Sequence, residues 1–462
     1  MRLNRIIILA LFIHLLLICW AIINYGYMGQ DYRAHVERIL FLAVTSKFDW
    51  SGTNPPLLYI MSLYIQKWIS SIFHVEISSF VLAIFNMISI PILWNILIRL
   101  KIKPSYATFF TLLLIFIPFR VIHSVVYSSD ALTVTPFFIL VLLIMKLTDM
   151  KNKYNIKIFL SIGLTLTIAV FSKYTFAFLV PVCCLLIIFI LLNNNNPDYK
   201  KQIFIATILI SLLPTSLGLY LLKKNIKYKS YDVHLMKNSL DEKPHPMSLR
   251  EIFFFKQADI ELFKAPQYFK DELWLEHKYS YPALLHISTF TDTMNIFQQL
   301  PKDNIPRLSF KREQKFFSKK RGEIASIANQ LAFIFAIPIS IFALVGTLRS
   351  ILHSIRMIVK NGNGKNYQLL DHDILFWLAL AFFAPIFCSL PFIATAYRHG
   401  YWLPRLVMPS ILTFIIFGFV EMQRVLEKSK LLQKIFFCYV IILVTSFILA
   451  LLPLPLPSQL PS

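Results

Sequence analysis

Eleven apolar runs dominate this 462-residue sequence, and most are long enough to cross a bilayer as helices. A spanning helix needs about 20 apolar residues, and the bilayer core admits only helices and closed barrels because no water there satisfies backbone polar groups. The chain is 57% hydrophobic and 15% charged, which is too little polar surface for a soluble domain of this length. The sequence therefore predicts an all-α polytopic membrane protein with about eleven spans, at 6–24, 78–99, 105–118, 131–148, 157–171, 174–192, 202–222, 326–348, 373–395, 403–422 and 431–452.

The distribution of Lys and Arg predicts the orientation of these spans. With the N-terminus in the cytoplasm, the inner connectors and helix ends hold nineteen basic residues and the short outer ones hold eight. Cytoplasmic connectors normally carry this excess, so the net charge of +22 reflects membrane topology and predicts no nucleic-acid partner. The first run continues to Ile23 without a cleavage pattern, which favours a retained helix over a signal peptide.

Two long segments, 25–77 and 223–324, then lie outside the membrane and divide the chain. We predict an N-terminal transmembrane region (1–222), a small folded cap on the outer face (223–324) and a C-terminal transmembrane region (325–462). The stretch 55–72 carries Tyr and Trp near helical spacing and predicts a helix lying in the interface. A twelfth span there is the alternative, and it would make the basic-residue count unfavourable.

Candidate chemical groups begin in the first outer loop. Asp31 and His35 are four residues apart and share a face if the segment is helical. A carboxylate at a helix N-terminus is also a simple cap, so the spacing alone leaves both roles open. Asn54 precedes Pro55 and Pro56, which fix the entry into the next helix.

The order of four motifs resembles the GT-C fold of lipid-carrier-dependent glycosyltransferases, the superfamily of protein O-mannosyltransferases and lipid A aminoarabinose transferases. An early Asp with a downstream His is followed by Asn-Pro-Pro-Leu-Leu-Tyr at 54–59, where many members have His-Pro-Pro-Leu-Tyr-Tyr. Tyr-Ser-Ser-Asp-Ala-Leu at 127–132 resembles their Ser-x-Asp-Ala-Leu. Arg-Leu-Val-Met-Pro at 405–409 resembles their Arg-Tyr-x-x-Pro, with Leu406 in place of Tyr.

The resemblance implies transfer of a sugar from a polyprenyl-phosphate carrier to a lipid, glycan or protein acceptor at the outer face. Asp31 would be the general base, and Asp130 a second acid or a metal ligand, with N-capping as its structural alternative. Outer cations would bind the carrier phosphate, although snorkelling or an aromatic belt explains them as well. The implied substrate-binding residues are His35, Asn54, Lys173, Arg398 and Arg405, whereas Arg120 is expected to be an interfacial anchor.

Cofactor and structural roles are less constrained. Some members of this superfamily use a divalent metal, and His35, His123 and Asp130 are the available ligands. The five Cys show no metal-ligand spacing and are interpreted as membrane-embedded thiols. His286 and Asp292, in the long outer segment, are expected to be structural.

Three other functions remain open. A transporter or lipid flippase usually keeps ionisable groups near the bilayer midplane, where His14 is the one clear candidate here. A polysaccharide polymerase would use a lipid-diphosphate donor, and a non-catalytic assembly subunit would tolerate loss of Asp31. The motifs look closest to bacterial members, which predicts the bacterial inner membrane with the active site facing the periplasm.

Overall fold

The computed structural model describes residues 5–25, 32–46, 56–73, 80–125, 132–149, 156–193, 199–227, 250, 254–264, 280–291, 319–362, 369–396 and 407–451. Within these ranges the chain is helical apart from short turns and contains no strand, which confirms the all-α prediction. The α-helices are α1 (Arg5–Tyr25), α2 (Tyr32–Thr45), α3 (Leu57–Phe73), α4 (Phe80–Arg99), α5 (Pro104–Phe116), α6 (Pro118–Val125), α7 (Val134–Asp149), α8 (Ile156–Ser172), α9 (Leu179–Asn193), α10 (Tyr199–Lys227), α11 (Gln257–Lys264), α12 (Tyr281–Phe290), α13 (Lys319–Gly362), α14 (Asp371–Ala396), α15 (Met408–Leu426) and α16 (Lys430–Leu451); a 3-10 helix (Tyr174–Phe178) precedes α9.

Each of the eleven apolar runs corresponds to a helix, so the polytopic architecture is confirmed. Six stretches of the described chain are long and apolar enough to cross a membrane, and shorter apolar helices accompany them. The six are Leu82–Arg99, Tyr174–Leu192, Lys200–Leu221, Ile327–Arg356, Met408–Leu426 and Lys430–Leu451.

The third predicted span ends at a break between two helices. Helix α5 ends at Phe116, and Ile117 adopts an extended conformation (φ −47°, ψ 121°) before Pro118 opens α6. A residue that precedes proline is disfavoured in the helical region, so the break follows from the sequence Ile117-Pro118. It separates the short helix α6 from α5 at the end of the bundle that the charge count predicts to face outwards, which we call the outer end.

Ion pairs tie together the helix ends that the charge count predicts to be cytoplasmic; we call this the charged end. Arg99 at the end of α4 binds Asp149 of α7 at 2.7 Å and Asp371 of α14 at 2.9 Å. Further pairs join Lys103 to Glu427 (3.1 Å), Arg349 and Arg424 to Glu421, and His353 to Asp373 (3.2 Å). The partly buried Arg99 thus links three helices that lie far apart in sequence.

Glycines allow two helix pairs to approach closely. A Cβ at Gly163 of α8 would lie 2.2 Å from the Leu209 carbonyl oxygen of α10, and one at Gly346 of α13 would lie 2.5 Å from the Phe417 carbonyl of α15. Apolar lipid tails give helices no hydrophobic reason to associate, so close backbone packing supplies much of the attraction.

One described part of the outer segment 223–324 packs into the bundle. Phe290 of α12 stacks on Phe447 of α16 with ring centroids 6.3 Å apart. His286 Nε2 lies 2.9 Å from the Phe333 carbonyl and Nδ1 lies 2.7 Å from Ser340 Oγ, both on α13. A carbonyl only accepts, so Nε2 donates to it and Nδ1 accepts from the serine hydroxyl. His286 is therefore structural, as predicted, while Asp292 lies outside the described residues and the cap with its boundaries stays a prediction.

We expect Gly163→Ala to lower the free energy of unfolding by about 2 kcal/mol, because the new methyl overlaps the backbone of α10. Gly218→Ala is the matched control on the same helix pair, since its Cβ would meet only Val170 Cγ1 at 3.7 Å. The control should be neutral or stabilising by up to about 1 kcal/mol. Thermal unfolding in detergent micelles measures both, and equal shifts would contradict the close approach.

The docking of α12 should weaken in acid. Burial lowers the pKa of His286 from 6.5 to about 4, against a smaller opposing effect of the Phe333 carbonyl. The unfolded state takes up a proton below about pH 6.5 and the folded state does not, so stability is fully present above that pH. It falls as the pH drops towards 4, by about 3 kcal/mol in total. Unfolding measured against pH for wild type and His286→Gln should show this loss in wild type only; parallel curves would exclude it.

Candidate active site at the outer helix ends

A compact apolar cluster brings two of the sequence motifs together with helix α2 at the outer end of the bundle. Its buried members are Ile39 of α2, Leu58 and Tyr59 of α3, Leu82 of α4 and Leu132, which precedes α7. Leu58 and Tyr59 belong to the Asn-Pro-Pro-Leu-Leu-Tyr motif, and Leu132 closes the Ser-x-Asp-Ala-Leu motif. The fold therefore joins segments that the sequence separates by almost 100 residues.

The helix starts explain why the motifs stand where they do. Helix α2 begins at the residue after Asp31, and α3 begins at Leu57, directly after the two prolines. Proline at a first turn loses no needed hydrogen bond. Asp31, Asn54 and Asp130 lie outside the described residues, so their roles stay predictions.

A hydrogen bond links the two helices of the first outer loop. Arg38 Nη1 of α2 donates to the Tyr59 hydroxyl of α3 at 3.0 Å, and its guanidinium carbon lies 5.8 Å from the centre of the Tyr59 ring. A cation at this distance from an aromatic ring is attracted to it. Because Tyr59 is fully buried, this contact fixes how α2 packs on α3.

A buried polar cluster lies one turn further along α4. Arg120 of α6 is 0% exposed and donates to the Asn86 side-chain oxygen, to the Asn86 carbonyl (2.5 Å) and to Ser89 Oγ. The Arg120 carbonyl accepts two hydrogen bonds, from Asn86 Nδ2 at 2.8 Å and from Ser124 Oγ at 2.9 Å. The prediction of an interfacial anchor is therefore wrong: the turn at Pro118 directs Arg120 into the bundle, where it binds α6 to α4.

His14 of α1 lies beside this cluster. It is 0% exposed, its ring meets Phe116 edge-on with centroids 6.2 Å apart, and neither ring nitrogen has a partner among the described side chains and backbone. His14 and Arg120 are thus two ionisable side chains buried within the bundle.

Lys173 stands at the same end of the bundle. It separates α8 from the 3-10 helix, with its amide bonded to the Ala169 carbonyl at 2.9 Å and its carbonyl accepting from Phe176 at 3.1 Å. Its side chain is half-buried, and α8 packs against α3. Lys173 therefore lies at the end of α8, and its role in binding the carrier phosphate stays a prediction.

The other predicted residues are less defined. The backbone of His35 lies in the first turn of α2, and that of His123 lies in α6. Arg398 and Arg405 fall outside the described ranges. Within those ranges no group of three or more His, Cys, Asp and Glu side chains is placed to hold a metal ion. The metal therefore stays an open prediction that depends on Asp130 and its neighbours.

Sequence reasoning missed the Arg120 cluster, although the sequence carried a signal for it. Asn86 and Ser89 are polar residues three apart inside an apolar run, so they share one helix face. Ser124 follows Arg120 by four residues on α6. Polar residues grouped on one face of a spanning helix indicate a buried polar contact.

Comparison with models of protein families finds no match, and comparison with curated proteins finds no similar sequence. Among solved structures, the chain is similar to ArnT from Cupriavidus metallidurans bound to undecaprenyl phosphate. The match has 12% sequence identity and a TM-score of 0.39, and covers 91% of this chain and 77% of ArnT. A TM-score of this size is too low to establish a common fold, and no family is assigned on it.

Tyr59→Phe should loosen α2, because it removes the acceptor of Arg38. A lost hydrogen bond of about 1 kcal/mol corresponds to roughly fivefold faster local opening. Hydrogen exchange of the amides in 32–46 measures this. The control is Tyr64→Phe on the same helix, whose side chain is 68% exposed; unchanged exchange in both variants would show that the Arg38 contact does not hold α2.

Proposed function

We propose that this chain is a membrane glycosyltransferase that moves a sugar from a polyprenyl-phosphate carrier to a lipid, glycan or protein acceptor at the outer face. The supporting observation is the convergence of the first-loop helices and the Ser-x-Asp-Ala-Leu segment in one apolar cluster. Chain connectivity keeps Asp31 and Asp130 within two residues of described positions at this end of the bundle. This connectivity supports the proposal that the two carboxylates act together, as the resemblance to GT-C enzymes implies.

Asp31 acts in this proposal as the general base. It deprotonates the acceptor hydroxyl or amine, which then attacks the anomeric carbon while the bond to the carrier phosphate breaks. Proton removal in the transition state contributes typically 10²–10⁴-fold. Asp130 serves as a second acid or holds a divalent metal, while His35 and Asn54 contact the sugar or the acceptor.

The departing carrier phosphate carries negative charge, so cations at the outer boundary stabilise the transition state. Lys173, Arg398 and Arg405 take this role, Lys173 as a point charge and the arginines as bidentate donors. Arg120 does not contact the phosphate directly, because its donors already bind acceptors on α4 and α5 and its side chain is fully buried. It positions the outer ends of α4 and α6, which adjoin the motif cluster.

A lipid flippase or transporter is the second candidate, and one observation favours it. His14 and Arg120 are both fully buried within the helices of the bundle, and ionisable groups there commonly mark transport pathways. A transporter would move its substrate without breaking the bond between sugar and phosphate, so the chemical fate of the donor separates the two functions. The proposed location is the bacterial inner membrane with the active site facing the periplasm.

Asp31→Asn, which keeps the side-chain size and removes the base, should lower sugar transfer by two or more orders of magnitude. The assay uses purified full-length protein with a panel of polyprenyl-phosphate sugars and follows release of the free polyprenyl phosphate. Asp149→Asn is the matched control, since Asp149 belongs to the charged end and its side chain is 61% exposed.

The control should keep most of its activity, and Asp31→Asn should unfold at the wild-type temperature. Full activity in a folded Asp31→Asn protein would indicate that Asp31 only caps the helix, and Asp130 would then be the candidate for the general base. Movement of the intact donor across the bilayer, without release of polyprenyl phosphate, would favour the flippase function over the glycosyltransferase function.

A further inference from the structure

The longest helix continues past the charged end of the bundle. Helix α13 contacts the start of α14 through the 3.2 Å ion pair of His353 with Asp373. It then runs on to Gly362, which is about 13 Å at 1.5 Å per residue. The neighbouring helices α15 and α14 end at Leu426 and begin at Asp371 on this side, so the last turns of α13 extend beyond them.

We call residues 348–362 the α13 extension. It begins beside the contacts of Arg349 and His353, continues past them to Gly362 and is amphipathic. Leu348, Leu352, Ile355 and Val359 recur at i, i+4, i+7 and i+11, which places them in one stripe along the helix. Their exposed fractions are 50%, 54%, 52% and 60%. No other described element covers this stripe, although it lies at and beyond the level of the ion pairs.

A basic edge runs beside the apolar stripe. Arg349, His353 and Arg356 each follow a stripe residue by one position, about 100° around the helix. Arg349 and His353 are held by Glu421 and Asp373, and Arg356 is exposed. A helix with an apolar face bordered by basic side chains fits the boundary between acyl chains and headgroups, where the side chains reach phosphate.

The surroundings carry surplus positive charge. Four of the acidic side chains described at the charged end (Asp149, Asp371, Glu421 and Glu427) take part in ion pairs with Lys or Arg, and Asp373 contacts His353. Exposed basic side chains remain around them: Lys101, Lys146, Lys200, Lys201, Arg356, Lys428, Lys430 and Lys434. A face whose carboxylates are all engaged attracts anions more strongly than cations.

We propose that the α13 extension is a docking surface for the anionic lipid headgroups of the adjacent leaflet, with its apolar stripe in the acyl boundary and Arg356 at the phosphates. A second copy of this chain is the other partner that an apolar stripe can bind. The basic side chains beside the stripe favour anionic lipid over that partner. A second copy would place one positive face against another. The surface lies at the opposite end of the bundle from the candidate active site and does not depend on the proposed activity.

The test is the stabilisation of the purified full-length protein by added lipid, since a ligand that binds the folded state raises its unfolding temperature. Phosphatidylglycerol should stabilise the wild type in detergent micelles, phosphatidylcholine should not, and salt should weaken the effect. Arg356→Gln should lower the apparent affinity for phosphatidylglycerol about fivefold, the usual effect of one basic residue near an anionic surface. Lys200→Gln, on α10 at the same end of the bundle, removes a surrounding charge that does not border the apolar stripe and should lower the affinity by less than Arg356→Gln.

Ile355→Ser with Val359→Ser tests the apolar contribution and should also weaken the phosphatidylglycerol effect, with no change in the mass of the protein–micelle complex. Equal affinities of wild type, Arg356→Gln and Lys200→Gln would overturn the proposal. A complex that contains two chains in wild type and one in the double serine variant would assign the stripe to self-association instead.

Discussion

Arg120 carries a charge into a part of the molecule that water does not reach, and the outer end of the bundle is arranged around it. Removing a guanidinium from water costs several kcal/mol, which good hydrogen bonds must offset. The acceptors come from Asn86 and Ser89 of α4 and Leu114 of α5. Through α4 the same contact reaches Leu82 in the motif cluster, so the position of α6 and the geometry of the candidate active site are set together.

Hydropathy predicts the helices well because the bilayer leaves the backbone no alternative. It predicts helix ends poorly, because an apolar run stops at the first charges whereas a hydrogen-bonded backbone can continue. The run at 326–348 became the 44-residue helix α13, whose basic extension hydropathy discards. Conversely, Pro118 ends α5 and begins a separate helix, α6, directly after the run at 105–118. The proline predicts this break, whereas an averaged hydropathy does not.

The candidate site was predictable in its parts and not in its contacts. Motif order predicts that Asp31, Asn54 and Asp130 belong together, and this grouping stays a prediction. The structure shows only that Ile39, Tyr59 and Leu132, which follow these residues in the chain, share one apolar cluster. The Arg38 contact with Tyr59 spans 21 residues, and no periodicity encodes a pairing between two helices. Arg120 was misassigned because a lone Arg near a span end is more often an anchor; only the three-dimensional path of α6 shows where it points.

The two ends of the bundle are held by different forces, and this difference suits the proposed chemistry. At the charged end, Arg99 and Glu421 join helices through ion pairs that are costly to break when partly buried. At the outer end, the described contacts are apolar packing and hydrogen bonds between neutral groups and two arginines. Elements held by few buried contacts open at lower free energy than the rest of a structure. A bundle fixed at one end can therefore rearrange at the other without losing its fold, and α2 and α3 are the elements best placed to move, since α2 packs on α3 and α3 on α4 and α8.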